Sequence, residues 1–142
     1  MIIYFDENLP ERFAEGFQKL QEPLHRKLKT VKQVDVKSVL TEFGGGLSDE
    51  DLFAITKGTE SCYITQDKNI HNRLHQREIY MQSELGIFLI AESRTGNSYW
   101  EQVQLMVNRW PKILEVATTT QRPFACRIER YVSGGNDGLR ML

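Results

Sequence analysis

The chain has 142 residues, 40% of them hydrophobic and 10% aromatic, with a formal charge of -1, which suits one soluble domain with an adequate core and lacks the strong basic excess of a dedicated nucleic-acid binder. No stretch approaches the roughly 18 apolar residues that span a bilayer, so no membrane partner is expected. Cys62 and Cys126 are the only cysteines and lie far apart; a disulfide framework or a zinc site is not expected, and a reducing cytoplasm fits.

Ile2 to Phe5 read as a short buried strand ending on Asp6. In an open α/β sheet, chemistry collects just beyond the carboxyl ends of the strands, so an acid there is placed to meet a ligand. It also breaks the apolar run too early for a signal peptide. Asn8 is expected to cap a helix with Pro10 and Glu11 in its first turn and Leu9, Phe13, Phe17 and Leu20 on one face. Pro23 is expected to end it. Leu24 to Lys32 is a basic insert carrying Lys27, Lys29 and Lys32. Val34, Val36 and Val39-Leu40 then predict a strand, and the interleaved Asp35 and Lys37 imply an edge or half-exposed position.

Gly44-Gly45-Gly46 forms a turn delivering the chain to Ser48, a good N-cap, with Asp49, Glu50 and Asp51 in the first helical turn and Gly58 as the stop. The glycines are no phosphate loop, because the Gly-Lys-Ser/Thr ending is missing. Cys62 to Thr65 predicts the next strand, with Asp67 just beyond it. A helix from about Asn69 to Gln76 follows; it carries His71 and His75 four apart, without the adjacent Glu of a zinc protease. Ile87 to Ala91 is a continuous apolar run of the kind that parallel sheets bury on both faces. From Ser98 a longer helix is predicted with Trp100, Val103, Val107 and Trp110 on one core-facing stripe, kinked or restarted at Pro111. Phe124 to Val132 predicts a final edge strand, and residues 133–142 a loose tail. The whole predicts an α/β/α sandwich with a mostly parallel sheet, as one domain over residues 1–132.

Asp6 and Asp67 both end strands. Asp49, Glu50 and Asp51 open a helix, where the macrodipole alone stabilises acids. Carboxylates brought to one sheet edge repel strongly unless a cation sits among them. Mg2+ or Mn2+ takes oxygen ligands, usually one or two carboxylates with waters, and offsets charge at a scissile phosphate. Charge is divided along the chain: 8 Lys/Arg against 12 Asp/Glu through Asp67, then 10 against 7. An acidic pocket beside a basic surface suits a metal-dependent enzyme acting on a polyanion.

Asp6-Glu7-Asn8-Leu9-Pro10, Gly45-Gly46-Leu47-Ser48-Asp49-Glu50-Asp51-Leu52 and Ile64-Thr65-Gln66-Asp67-Lys68-Asn69 together resemble the PIN-like domain family over roughly residues 1 to 92. That family is related to the PIN nucleases forming the toxin half of many bacterial toxin-antitoxin pairs. The resemblance implies a metal-dependent ribonuclease fold in which Asp6, Asp49 and Asp67 hold Mg2+ or Mn2+, and hydrolysis of single-stranded RNA. Asn8, Glu50, Thr65, Lys68 and Asn69 are auxiliary candidates. At Asn69 relatives often carry a further acid; an amide oxygen can ligate but brings no charge. Lys68 or Arg73 is expected to steady the phosphate, and Lys27, Lys29, Lys32, Arg127 and Arg130 to follow the RNA backbone. A small antitoxin protein and a second copy of the chain are the protein partners considered. Two rivals stand beside this reading: a catalytically weak module that binds RNA or a protein partner, and an aspartyl-phosphate protein with Asp6 as nucleophile, which lacks a second acid where Asn8 stands.

Overall fold

Parallel pairing needs a crossover connection longer than a hairpin, usually a helix, and the predicted alternation of short apolar strands and helices supplies it. The computed structural model describes residues 1–27, 32–70, 83–93, 96, 98–132, 134–135 and 137–142, and for residues 24–27 the backbone alone. Among them, β1 (Ile2–Phe5), β2 (Asp35–Ser38), β3 (Ser61–Thr65), β4 (Leu85–Ile90), β5 (Phe124–Ile128) and β6 (Leu139–Met141) form one sheet in the order β2-β1-β3-β4-β5-β6. The first five are parallel and β6 runs antiparallel to β5. The described helices are α1 (Glu11–Lys27), α2 (Val39–Phe43), α3 (Asp49–Thr56) and α4 (Tyr99–Thr119).

Residues two apart on a strand share a face, and this alternation sorts the core into two layers. Ile3, Phe5, Cys62, Ile64 and Phe88 meet Phe13 and Phe17 of α1 and Met106, Trp110 and Ile113 of α4. Tyr4, Tyr63, Leu85 and Ile87 face the other way, onto Val39 of α2 and Leu52 and Phe53 of α3. The expected three-layer α/β/α architecture with a mostly parallel sheet is the one observed. All six residues of β4 are buried, as a central parallel strand requires. Edge strand β2 alternates half-buried and buried positions. Its outer side is closed by α1: Gln18 Oε1 accepts from the Val36 amide at 2.6 Å, and the buried Gln21 donates to the Val34 carbonyl. These bonds occupy backbone groups that an open edge would offer to another chain.

Several predicted details differ. Helix α1 passes through Pro23 to Lys27, and Leu20 is 65% exposed while Gln21 takes the buried position. Asn8 is no cap: it stands exposed in a turn closed by the Leu9 amide donating to the Asp6 carbonyl, and α1 begins at Glu11. The second strand stops at Ser38, whose hydroxyl accepts from the Thr41 amide and turns Val39 and Leu40 into α2. Helix α4 runs unbroken through Pro111, since Trp110, Ile113 and Ala117 are buried on both sides of it; three such side chains outweigh the proline's cost of about 3 kcal/mol. Its buried stripe is Gln102, Leu105, Met106, Trp110, Ile113 and Ala117, whereas Trp100 is 74% exposed and Val107 also faces solvent. The fifth strand ends at Ile128, and the expected edge strand is flanked by β6, formed from residues predicted to be tail. Of the predicted helix after Asn69, Ile70 is described and buried; residues 71–82, with His71, Arg73 and His75, lie outside the described residues. No helix of the described residues is long and apolar enough to cross a membrane.

Gly86, opposite Phe124 in register, leaves room for the Phe124 ring, and a Cβ there would fall on that ring and 3.0 Å from Cys62 Sγ. Gly86→Ala is therefore expected to destabilise the fold by about 1–3 kcal/mol through overpacking, read as a lower Tm; an unchanged Tm would show that the ring can move aside.

Candidate functional site

From β1 the chain passes through α1 to β2 on one side, and β3 then adds on the other side of β1. The direction of winding thus reverses between β1 and β3. In open parallel sheets ligands bind in the crevice beyond the carboxyl ends of the strands at this switch point. Asp6 follows β1 and Asp67 lies two residues past β3, so both stand at that crevice.

Asp6 is 5% exposed. A buried carboxylate needs donors, and β3 supplies two from one face: Tyr63 Oη donates to Oδ1 at 2.6 Å and Thr65 Oγ1 to Oδ2 at 2.7 Å. The backbone is fixed as well, the Asp6 amide donating to the Ile64 carbonyl at 2.9 Å. Thr65 Oγ1 also accepts from the Asp67 amide at 3.0 Å, so one hydroxyl ties the Asp6 carboxylate to the turn carrying Asp67. In that turn Asp67 Oδ1 accepts from the Asn69 amide at 2.9 Å. Asn69, considered above for its side chain, therefore acts here through its backbone, in an Asx turn.

Helix α3 covers the same sheet face as Tyr63 and opens on the acids Asp49, Glu50 and Asp51. Asp51 closes a capping box: its carboxylate accepts from the Ser48 amide and hydroxyl at 3.2 and 2.8 Å, while Ser48 Oγ accepts from the Asp51 amide. Those bonds from Ser48 hold its carboxyl below the ordinary range. Asp49 is half-buried and Glu50 exposed. Glu7, absent from the sequence-based candidates, anchors the glycine turn, its Oε2 accepting from the Gly46 amide at 2.7 Å. Gly46 has φ +76°, which favours glycine and aims that amide at Glu7.

The acids share one electrostatic neighbourhood. Burial pushes the Tyr63 hydroxyl far above its ordinary pKa, and the charge and hydrogen bond of Asp6, then the charges of Glu7 and Asp49, push it further. Tyr63 is thus kept as a neutral donor. Among the described residues, however, no three His, Cys, Asp or Glu side chains are grouped closely enough to hold a metal ion among them. The three-carboxylate cluster expected of Asp6, Asp49 and Asp67 is not drawn together as such. What remains is an all-oxygen set at one crevice, which fits a hard cation that keeps much of its water rather than a soft ion in a closed protein shell. The cysteines take no part: both are buried with free thiols, and burial raises each to about 11.

The remaining candidates fall at both ends of the sheet. Lys68 is exposed and pairs with Glu92 at 3.5 Å, and both line a cleft with Arg127 beyond β4 and β5. Lys32, expected to follow the RNA backbone, instead pairs with Glu60 just before β3, at the amino ends of the strands and across the sheet from this crevice. Lys29 lies outside the described residues, as does the side chain of Lys27. Tyr63 is absent from the sequence-based candidates, although Ser61, Tyr63 and Thr65 alternate with Cys62 and Ile64 and so place three hydroxyls on one face.

A family model described as a PIN like domain matches residues 1–92, which contain Asp6, Asp49 and Asp67. No curated protein and no solved structure matches the chain.

Removing the Tyr63 hydroxyl leaves a buried carboxylate short of one donor. Tyr63→Phe is expected to cost about 1.5–3 kcal/mol near neutral pH, measured by denaturant unfolding. Because folding raises the tyrosine pKa above its ordinary 10.0, the native state holds a proton that the unfolded chain releases at higher pH. The wild type should accordingly keep this contribution below pH 10 and lose it above, with the alkaline loss smaller in Tyr63→Phe; equal alkaline slopes would contradict the assignment.

Proposed function

The chain belongs to the PIN-like domain family, whose members are generally nucleases, and from that premise we propose that it is a Mg2+- or Mn2+-dependent ribonuclease that hydrolyses single-stranded RNA. The observation that carries the reading is Asp6: a charge buried at the switch point of a parallel sheet and oriented by two hydroxyls. Buried charge is expensive, and the fold spends two hydrogen bonds on keeping this one in place.

Asp6, Asp49 and Asp67 are the residues that would hold the cation, with Glu7 adding negative charge nearby. When bound, the ion would lower the pKa of water and offset the charge that develops on the phosphate. The protein's own part is positional. Tyr63 and Thr65 fix Asp6, the Ser48–Asp51 capping box fixes the start of α3 and with it Asp49, and the Asx turn fixes Asp67. Lys68, already offset by Glu92, offers an exposed ammonium for a phosphate oxygen. PIN nucleases form the toxin half of many toxin-antitoxin pairs, so a small antitoxin protein seated over the acidic edge is the regulator this reading brings with it.

A second reading is a catalytically weak module of the same fold that binds RNA or a protein. It is favoured by Asn69, neutral where relatives often carry an acid, and by the absence of a tight acidic group among the described residues. Hydrolysis of a single-stranded RNA with Mn2+ decides between them. Asp6→Asn preserves size and hydrogen bonding on one oxygen, and is expected to lower the rate about 100-fold or more. An unchanged rate would show that Asp6 is not in the site; no hydrolysis by the wild type would leave the binding module.

A further inference from the structure

Arg130, just past β5, lines a cleft of about 410 Å³ between the end of the sheet and the first half of α4. Its Nε and Nη2 are buried and have no hydrogen-bond partner among the described residues. A guanidinium carries five donors in a planar fork, and covered donors on a charged group without acceptors are costly unless a ligand supplies them. The neighbouring Arg109 is turned to the backbone: its Nε and Nη2 donate to the Glu129 and Arg130 carbonyls, each at 3.2 Å. Arg109 thereby fixes the backbone from which Arg130 projects. Gly138, at φ +89°, passes so close over Arg109 that a Cβ would fall on the guanidinium, and its carbonyl accepts from the Glu129 amide at 2.8 Å. The turn is held by these contacts rather than by Arg130.

Next in the chain, Tyr131 is 82% exposed and lines the same cleft. A large exposed ring beside an arginine lacking acceptors matches the two parts of an unpaired nucleotide, a flat base and a phosphate. Asn108 and Gln104 add polar side chains to the wall, and Glu101 a carboxylate. The cleft opens at the carboxyl end of β5, two strands from β3 in the sheet, about 10 Å from the crevice that holds Asp67. All of these residues lie beyond the matched residues 1–92.

We propose that this cleft is a second contact point for single-stranded RNA, in which Arg130 takes a backbone phosphate and Tyr131 stacks on the adjoining base while the strand continues toward Asp6. This rests on the reading of the chain as an enzyme acting on RNA. The arginine's long side chain lets its covered edge turn toward a phosphate oxygen, and the charge-assisted pair satisfies donors that the protein leaves open.

Fluorescence anisotropy of a labelled oligouridylate in EDTA measures binding without cleavage. Arg130→Gln is expected to weaken binding about tenfold and to lower the salt slope by about one. Arg130→Lys should keep the slope and lose part of the affinity. Tyr131→Ala should weaken binding about tenfold, Tyr131→Phe should match the wild type, and duplex RNA should bind less tightly than the single strand. Affinities indifferent to Arg130→Gln and Tyr131→Ala, in a protein that still cleaves RNA, overturn the cleft alone. Binding that depends on both residues without any cleavage overturns the nuclease reading and leaves the cleft. Displacement by uridine monophosphate at equal nucleotide concentration would assign the cleft to a small phosphate and overturn the strand contact.

Discussion

A negative charge buried at the end of β1 is the constraint on which this edge of the molecule depends. Asp6 has almost no contact with solvent, and its two oxygens are met by hydroxyls two residues apart on β3. That pairing requires β1 and β3 to be adjacent, parallel and in the register that sets Phe5 opposite Ile64. A slip of one residue would turn Tyr63 and Thr65 to the opposite face and leave the carboxylate without donors. The polar bonds therefore specify the same register as the hydrophobic alternation of the two core layers.

From this point the other acids fall into place by local rules. Tyr63 shares its sheet face with α3, and the charge of Asp49 in the first turn of that helix is felt at its hydroxyl. Glu7, next to Asp6, reaches across to the Gly46 amide and holds the turn that feeds α3. Thr65 connects Asp6 to the turn of Asp67. Burial first, and then the charges of Asp6, Glu7 and Asp49, hold the proton on Tyr63. On the proposed reading a hard cation is the partner that these acids would take.

Features governed by neighbours in the chain were legible beforehand. Asp6 after an apolar strand, the Ser48 cap and the wholly buried β4 all follow from a few consecutive residues, and the structure has each of them. Contacts across long separations were not. Glu7 with Gly46 and Tyr63 with Asp6 depend on which strands pair, and neither motif carries that information. On α4 the apolar spacing runs through Trp100 and Val107, which face solvent, while the surface meeting the sheet is centred on Met106, Trp110 and Ile113. Strand β6 is three residues long and owes its place to the β5 ladder, which a glycine-rich sequence does not announce.

The central claim is that Asp6 is held in place to bind a divalent cation, and it can be tested without substrate. Mn2+ titration followed by electron paramagnetic resonance would count bound ions directly. The account predicts saturable binding by the wild type that weakens at least about tenfold in Asp6→Asn. Equal binding by the two proteins, or none by the wild type, would contradict it.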